Sequence, residues 1–522
     1  MPYLRWIVCM ALVGALFGCA SGGAARDTDE TPAMAITGQE FLEQYAATYR
    51  FSLGRPKNIA VTPGGEAVLF LRSGPRSFVQ DLFEFDCKTG RERVLLTADK
   101  VLGGAEEHLT AEELARRERM RLASRGIASY TLSEDGEKVL VPLSGRLFVV
   151  ERASGRVQEL KTDAGYPIDP QLTKDGDKLA CVRDGEVFVT DLATGKEHRL
   201  TTGAGGPVTN GLAEFVAQEE MGRFHGFWWS PDGAAIAYQQ TDVAGVEVFH
   251  IADPTKPESE PALWPYPRPG KKNADVKLGV MSAAGGETIW VKWDREKYPY
   301  LAHVTWQKNS PLCILVQNRE QTEQLLLAVD HATGDTTTLI QETDPAWLNI
   351  FESCPKWLDD GSAFLWLTES RGAKQLELRS RDGARTSTIT DPAFGLVDVL
   401  DLDHERGIVT VAASDDPTTT HLWRLSLDPA RGVVTPMTQA RGHHGAVFAK
   451  NHGVYVHSFN LATGEYGWNV GTTEGKKLGS LTSVAEKPAF TPAVELTTVD
   501  ELKLLAAIIR PRGFVPGRKY PV

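Results

Sequence analysis

A short string of residues returns along this chain at a fixed interval. Leu132-Ser133-Glu134-Asp135-Gly136 is followed 40 residues later by Leu172-Thr173-Lys174-Asp175-Gly176, and Ala153-Ser154-Gly155 by Ala193-Thr194-Gly195 at the same shift. Between these turn signals lie short β-rich runs, at 138–141, 146–151 and 156–160 in the first unit and 178–182, 186–191 and 196–200 in the second. Strands of this length, separated by glycine turns at a period of about 40 residues, mark the blades of a β-propeller. A helical solenoid would space its apolar residues at about 3.6, and these runs do not.

The punctuation recurs more loosely at Thr62-Pro63-Gly64-Gly65, Ser230-Pro231-Asp232-Gly233 and Asp359-Asp360-Gly361 before strands. Lys88-Thr89-Gly90 and Ala332-Thr333-Gly334 stand at hairpin ends. The blade region of about 440 residues holds seven or eight blades with insertions. A repetitive all-β architecture also answers how 522 residues are organised without one oversized core. The expected layout is a signal segment at 1–18, a tether at 19–39, the propeller at 40–490 and the start of another unit at 491–522. A short amphipathic helix is expected over 37–50.

The N-terminus has the form of a targeting segment. Arg5 supplies positive charge, and Trp6 to Phe17 is an apolar run of 12 residues, too short to span a bilayer. It leads into Leu16-Phe17-Gly18-Cys19, which resembles a bacterial lipobox with Cys19 as the lipidated residue; an ordinary cleaved signal peptide is the alternative. Ser21 gives no aspartate-type inner-membrane retention signal, so the periplasmic face of the outer membrane is the expected location. The stretch that follows is Ala-, Gly-, Asp-, Thr- and Ser-rich, with too little apolar surface to fold.

The charge balance is acidic, 56 Lys+Arg against 68 Asp+Glu, which argues against nucleic acid as a partner. Cys87, Cys181, Cys313 and Cys354 lie beyond the signal segment. Cys181 and Cys313 sit in apolar strand-like runs, where a buried thiol is the first reading and a disulfide the second. No pair has C-x-x-C spacing, so zinc is not indicated. His443-His444 on a strand would face opposite sides, which favours a structural role over a metal site. Trp228, Trp229, Trp306, Trp357 and Trp366 occupy strand positions suited to core packing.

Two segments interrupt the strands. Residues 105–125 read as a charged helix, with Glu106, Glu107, Glu112 and Glu113 leading and Arg116, Arg117, Arg119, Arg121 and Arg125 following, a polarity that suits the helix dipole. The second segment is Ala213-Glu214-Phe215-Val216-Ala217-Gln218-Glu219-Glu220-Met221, which runs on towards Phe227-Trp228-Trp229-Ser230-Pro231-Asp232-Gly233. Glu219 and Glu220 diverge by about 100° on a helix, yet can converge on one ammonium group from two sides by charge-assisted hydrogen bonds. Adjacent carboxylates repel unless a cation joins them. On composition alone a solvated acidic helix face stands beside this reading.

The second segment closely resembles the substrate-reading stretch of the dipeptidyl peptidase IV family of serine exopeptidases. Tyr266-Pro267-Arg268-Pro269-Gly270-Lys271-Lys272-Asn273 with Val276-Lys277, and Gln317-Asn318-Arg319-Glu320-Gln321, are similar to further stretches of that family. So are Pro511-Arg512-Gly513-Phe514-Val515-Pro516 and Lys519-Tyr520-Pro521-Val522, which look like the strand entering its hydrolase domain. The resemblance spans roughly residues 40–522. It implies that Glu219 and Glu220 bind a peptide's α-amine and so measure two residues from its N-terminus. The acidic-then-basic segment before Gly126-Ile127-Ala128-Ser129-Tyr130 resembles a helix whose arginine reaches the carbonyl of the substrate's second residue. Arg117, Arg119 and Arg121 all fit, with Arg117 and Arg121 sharing a face by i,i+4 spacing and a solvated helix face as the alternative.

Serine peptidases of this type use a Gly-x-Ser-x-Gly elbow followed by Asp and His on an α/β-hydrolase fold. No serine among these 522 residues has glycine at both −2 and +2. The expectation is therefore a recognition half without a catalyst and without cofactor or metal. Its partners would be peptide N-termini, a lipid anchor, possible oligomers and, in one alternative, a separate hydrolase chain. The other alternative is a non-catalytic, lipid-anchored propeller that binds peptides or a partner protein.

Overall fold

The computed structural model describes residues 38–520 apart from 162–164, 433, 491 and 512. The signal segment, Cys19 and nearly all of the tether lie outside the described residues. Eight blades follow one another along the chain, each with four antiparallel strands in a row and two of them with a fifth short strand, which resolves the expected seven or eight. Blade 1 is Lys57–Val61, Ala67–Ser73, Val79–Asp86 and Arg91–Leu96, and blade 3 is Ile168–Leu172, Lys178–Arg183, Glu186–Asp191 and Glu197–Arg199. The two 40-residue units are blades 2 and 3.

Strand composition follows from position in the ring. The second strands of blades 3 and 5, Lys-Leu-Ala-Cys-Val-Arg at Lys178–Arg183 and Leu-Cys-Ile-Leu-Val-Gln at Leu312–Gln317, lack the in–out alternation of a sheet with one wet face. Adjacent blades cover them on both sides, so nearly every position is apolar. Leu140, Leu147, Leu179 and Cys181 close the seam between blades 2 and 3, and Ile168, Val182, Phe227 and Ile236 that between blades 3 and 4. Cys87, Cys181, Cys313 and Cys354 are all buried free thiols, and burial pushes the Cys181, Cys313 and Cys354 thiols up to about 12.

The repeated turn has a local cause and a neighbour-to-neighbour one. In blade 3 Thr173 Oγ1 donates to Asp175 Oδ1 at 2.6 Å, Asp177 N donates to the same oxygen at 3.1 Å, and Gly176 has φ +68°. Ser133-Asp135 and Ser230-Asp232 repeat the bonds. A Cβ on Gly136 would stand 2.9 Å from Pro63 Cδ, and one on Gly233 3.0 Å from Thr173 Cγ2. The turns abut from blade to blade, so both backbone angle and space select glycine.

Blade 1 and blade 8 (Gly442–Phe448, Val454–Leu461, Tyr466–Thr472 and Lys477–Ser480) are each built from their own consecutive strands, so side chains and loop contacts close the ring. Val68, Phe70 and Phe85 pack with Val456 and Val470, Asn451 N donates to Pro63 O at 3.0 Å, and Lys450 pairs with Glu134 at 2.9 Å. Helix α1 (Gly38–Ala47), shorter than the expected 37–50, sets Phe41 against Phe51 and Phe490. Gln44 of α1 donates to Glu486, which also pairs with Arg76 of blade 1. The segments just before blade 1 and just after blade 8 thereby meet over the closing seam.

The charged segment is less helical than its sequence suggests. A separate short helix α2 (Ala98–Leu102) precedes the segment, and of the expected helix over 105–125 only helix α3 (Ala111–Arg119) forms. Thr110 starts α3, its hydroxyl accepting from Glu113 N, and Arg125-Gly126 pairs in parallel with Val79-Gln80 of blade 1. Helix α4 (Phe215–Glu220) separates two short strands, Val208–Asn210 and Phe227–Trp229, that both pair with Ala235–Asp242 of blade 4. Blade 4 also extends a hairpin, Val248–Ile251 with Ala262–Pro265. Beyond blade 8, Ala493–Val499 pairs with Leu504–Arg510 and leaves Leu504, Leu505 and Ile509 exposed.

Candidate functional site

Helix α4 is too short to be stable by itself, and a buried polar network holds its base. Glu214, immediately before it, accepts from Gln239 Nε2 at 2.6 Å and from Arg223 Nη2 at 3.3 Å. Arg223, just beyond it, donates from Nη2 to Gln239 Oε1 at 2.7 Å, from Nη1 to His225 O at 2.7 Å and from Nε to Leu301 O at 3.1 Å. Burial pulls the Arg223 pKa down, opposed by Glu214. Ala217 and Met221 are buried beneath the helix, and Gly222, with φ +69°, leaves it where a Cβ would stand 2.5 Å from Glu352 Oε1. The first turn of α4 and the chain beyond it are therefore fixed, and its last two residues, Glu219 and Glu220, face solvent.

Helix α3 comes in from the blade 1–2 connection and meets α4. Arg119 Nη1 donates to Gln218 Oε1 at 3.1 Å, and its guanidinium lies 5.1 Å from the Phe215 ring centre and 4.9 Å from that of Trp264. Burial lowers the Arg119 pKa, and the nearby Glu219 carboxylate acts in the opposite sense. Arg121 Nη2 donates to Glu219 Oε1 at 3.2 Å and Nη1 to Glu118 Oε1 at 2.6 Å. No ion pair or side-chain hydrogen bond involves Glu220 among the described residues.

Arg117 is placed differently from the shared face that its spacing with Arg121 suggests. Helix α3 ends at Arg119, and Arg121 has φ +55°, so the i,i+4 relation does not hold. Arg117 is 7 % exposed and engaged by Glu113 at 2.9 Å and Glu107 at 2.8 Å. It fastens the insertion to itself, while Arg119 and Arg121 reach α4. On the other side of α3, Arg116 Nη2 stands 3.8 Å from Asp169 Oδ1, and His225 Nδ1 is 2.8 Å from the same oxygen. Asp169 raises the His225 pKa against the effect of burial. Burial opposes the Asp169 carboxylate, but His225 and Arg116 outweigh it and hold the Asp169 pKa below its ordinary value.

Spacing in the sequence did not reveal the Arg119–Gln218 bond, the packing of Arg119 on Phe215 and Trp264 or the Asp169–His225 pair, because each joins segments far apart in the chain. His443 and His444 do face opposite ways. His444 is buried, with Nε2 2.8 Å from Ala440 O and Nδ1 2.8 Å from His457 Nε2, while His443 Nδ1 lies 3.3 Å from Thr420 Oγ1. Among the described residues no group of three or more His, Cys, Asp or Glu side chains is set to hold a metal ion.

Chemically, the end of α4 is an anion pair beside a cation that holds one of its members. The unpaired carbonyls at the C-terminal end of α4 add to the negative potential near the two carboxylates. A small cation with several N–H donors is what such a surface accepts.

Residues 133–463 match the family model described as the dipeptidyl peptidase IV (DPP IV) N-terminal region. A probable dipeptidyl peptidase 4 of Aspergillus flavus is 23% identical over 343 residues, covering 60% of this chain and 44% of that protein. The inactive dipeptidyl peptidase 10 of Rattus norvegicus is 27% identical over 165 residues, 30% of this chain and 20% of that protein. The chain thus spans less than half the length of these curated relatives. The crystal structure of Porphyromonas gingivalis dipeptidyl peptidase 4 superposes with a TM-score of 0.75 at 20% identity, over 94% of this chain and 69% of that one.

Proposed function

This chain belongs to the family of the dipeptidyl peptidase IV N-terminal region, and from that premise we propose that it is the substrate-selecting propeller of a dipeptidyl peptidase. Glu219 and Glu220 receive the α-ammonium of a peptide, and the complete enzyme removes the N-terminal dipeptide. The observation that carries this reading is α4 itself: a six-residue helix, anchored through Glu214 and Arg223, whose two terminal carboxylates face solvent. Fixing the amine fixes the distance to the second carbonyl, which is catalysis by positioning. Arg121, half-exposed and already on Glu219, is the arginine placed to meet a substrate carbonyl, with Arg119 holding the helix beneath it. Arg117 is committed to Glu107 and Glu113, so we do not assign it to substrate.

Calorimetry with Gly-Pro amide and its N-acetyl counterpart tests this. The free amine should bind and the acetylated form should not. Glu219→Ala and Glu220→Ala should each weaken binding by about 10- to 100-fold, from about 1.5–3 kcal/mol for a hydrogen bond to a charged group. Equal binding of both peptides would refute the amine clamp. Residues 1–522 contain no Gly-x-Ser-x-Gly, so this stretch expressed alone should not hydrolyse Gly-Pro chromogenic substrates; turnover abolished by a serine-directed phosphonate would overturn that.

Similarity to a relative named inactive favours a second reading, a lipid-anchored propeller that binds peptides or a partner protein without chemistry. Both readings place the protein on the periplasmic face of the outer membrane through Cys19. DNA downstream of codon 522 separates them: an open frame into a hydrolase supports the enzyme, a separately started hydrolase gene a split one, and neither the non-catalytic binder.

A further inference from the structure

Against α4, lined by its Phe215, Val216 and Gln218, lies a cavity of about 210 Å³. Leu212, Phe215, Val243, Val246, Trp264 and Val276 give it an apolar side, and the charged Glu112, Arg116, Arg119 and Glu214 also line it. An apolar cavity of about 150 Å³ holds one benzene molecule, so this volume suits a single substituted aromatic ring. It is not uniformly apolar. Asn273 lines it, and the Asn273 side-chain nitrogen is buried with no hydrogen-bond partner among the described residues. A buried amide donor left unpaired costs about 1–3 kcal/mol, which a ligand oxygen in the cavity would relieve. Arg119, over the Phe215 and Trp264 rings, stands at the same wall and favours an electron-rich group there.

We propose that this cavity is a small-molecule site for an aromatic ring bearing a hydrogen-bond-accepting carbonyl, with the Asn273 amide as the donor. The site adjoins the paired carboxylates without using them, since Phe215 and Gln218 form its wall while Glu219 and Glu220 lie at the solvent end of the helix. Ring occupancy replaces empty space with dispersion contacts, and the carbonyl sets the orientation.

The test compares acetophenone with ethylbenzene, which has a similar shape but no acceptor, by titration calorimetry on the whole chain. Acetophenone should bind one-to-one and about 3- to 10-fold more tightly than ethylbenzene, as expected for one net hydrogen bond. Asn273→Leu should bring the ratio close to one, and Val243→Phe, which fills the space, should abolish binding of both. In unmodified protein, labelled methyl groups of Val243 and Val246 should shift on adding acetophenone while those of Val470, in the blade 1–8 seam, stay in place. This measurement stands even if a variant fails to fold. Absence of binding, a ratio unchanged in Asn273→Leu, binding that survives Val243→Phe, or methyl shifts that spare Val243 and Val246 would each overturn the proposal.

Discussion

Replacing Arg223 with methionine should loosen α4 without touching either exposed carboxylate. The arginine makes hydrogen bonds to Leu301 O, His225 O, Gln239 and Glu214, and both members of its ion pair are about 95% buried, with side-chain exposures of 5% and 6%. Methionine fills part of the volume but leaves Glu214 charged, enclosed and supported by Gln239 alone. Removing one partner of a buried pair costs about 3–5 kcal/mol. At about 1.4 kcal/mol per tenfold change, that is a 100- to 4,000-fold rise in local opening if the cost falls on α4. The assay is native-state hydrogen exchange of the amides in 213–223, with the amides of Leu179–Val182 in blade 3 as an internal reference. Protection in α4 should fall by two to three and a half decades while the reference moves much less. Glu214→Gln with Arg223→Met should recover a large part of it, since no charge remains buried. Amine affinity should fall with the fraction of closed α4 once that fraction drops appreciably below one. Protection in α4 within threefold of the parent, or a double variant no better than Arg223→Met, would refute the view that this pair holds the helix.

Other outcomes follow from the same structure. Arg117→Ala should cost about 3–5 kcal/mol and make residues 105–125 sensitive to protease, whereas Arg121→Ala, at a half-exposed ion pair, should cost about 1 kcal/mol or less; equal effects in urea titration would contradict the division of labour between them. Gly136→Ala, with φ +74° and Pro63 Cδ 2.9 Å from the new Cβ, should lower stability more than Gly155→Ala, where φ is +67° and nothing lies within 4 Å; both carry backbone strain and only the first adds a clash. Because Asp169 raises the His225 pKa, their contact stabilises fully below the unfolded histidine value of about 6.5 and is lost as pH rises through the higher folded value. His225→Gln should remove that decline from stability measured above pH 6.5, and a variant that declines like the parent would count against the pair. Cys19→Ser should abolish incorporation of an alkyne fatty acid in cells, and labelling that persists would exclude lipidation at Cys19.

The propeller was legible in the chain because each blade is made of consecutive residues. Its strands, turns and period all lie within about 40 positions, so Ser133-Asp135-Gly136 and Thr173-Asp175-Gly176 announce the same local hydrogen bonds twice. Blade number was not legible to the same degree, since the motif returns at irregular intervals after blade 3, at Ser230-Asp232 and Ser380-Asp382, and gives way elsewhere to looser turns such as Asn451-His452-Gly453, while blade 4 is interrupted by α4 and a hairpin. The extent of the charged helix was misjudged for a physical reason. Glutamate in front and arginine behind suit a helix dipole along 105–125, but Arg125-Gly126 is drawn into pairing with blade 1, and tertiary hydrogen bonding outweighs a propensity of a few tenths of a kcal/mol per residue.

The site divides along the same line. Glu219 and Glu220 adjoin in sequence, and their neighbours Phe227-Trp228-Trp229 lie on the same local segment, so pattern alone could find them. Which arginine serves them was not a local question. Arg119 and Arg121 approach α4 across about one hundred positions of sequence because the ring brings the blade 1–2 connection and the insertion within blade 4 to one place, and Arg117 is withdrawn by Glu107 and Glu113, whose reach depends on the non-helical path of 105–110. An exposed carboxylate gains little from an arginine at 3.2 Å in water, so the Arg121–Glu219 contact cannot be what holds α4 in place. The fixed part is Glu214–Arg223–Gln239 underneath. That arrangement puts rigidity in the buried base and leaves the charged tip weakly paired, so under the proposed amine clamp an incoming ammonium group would have only a weak internal partner to displace.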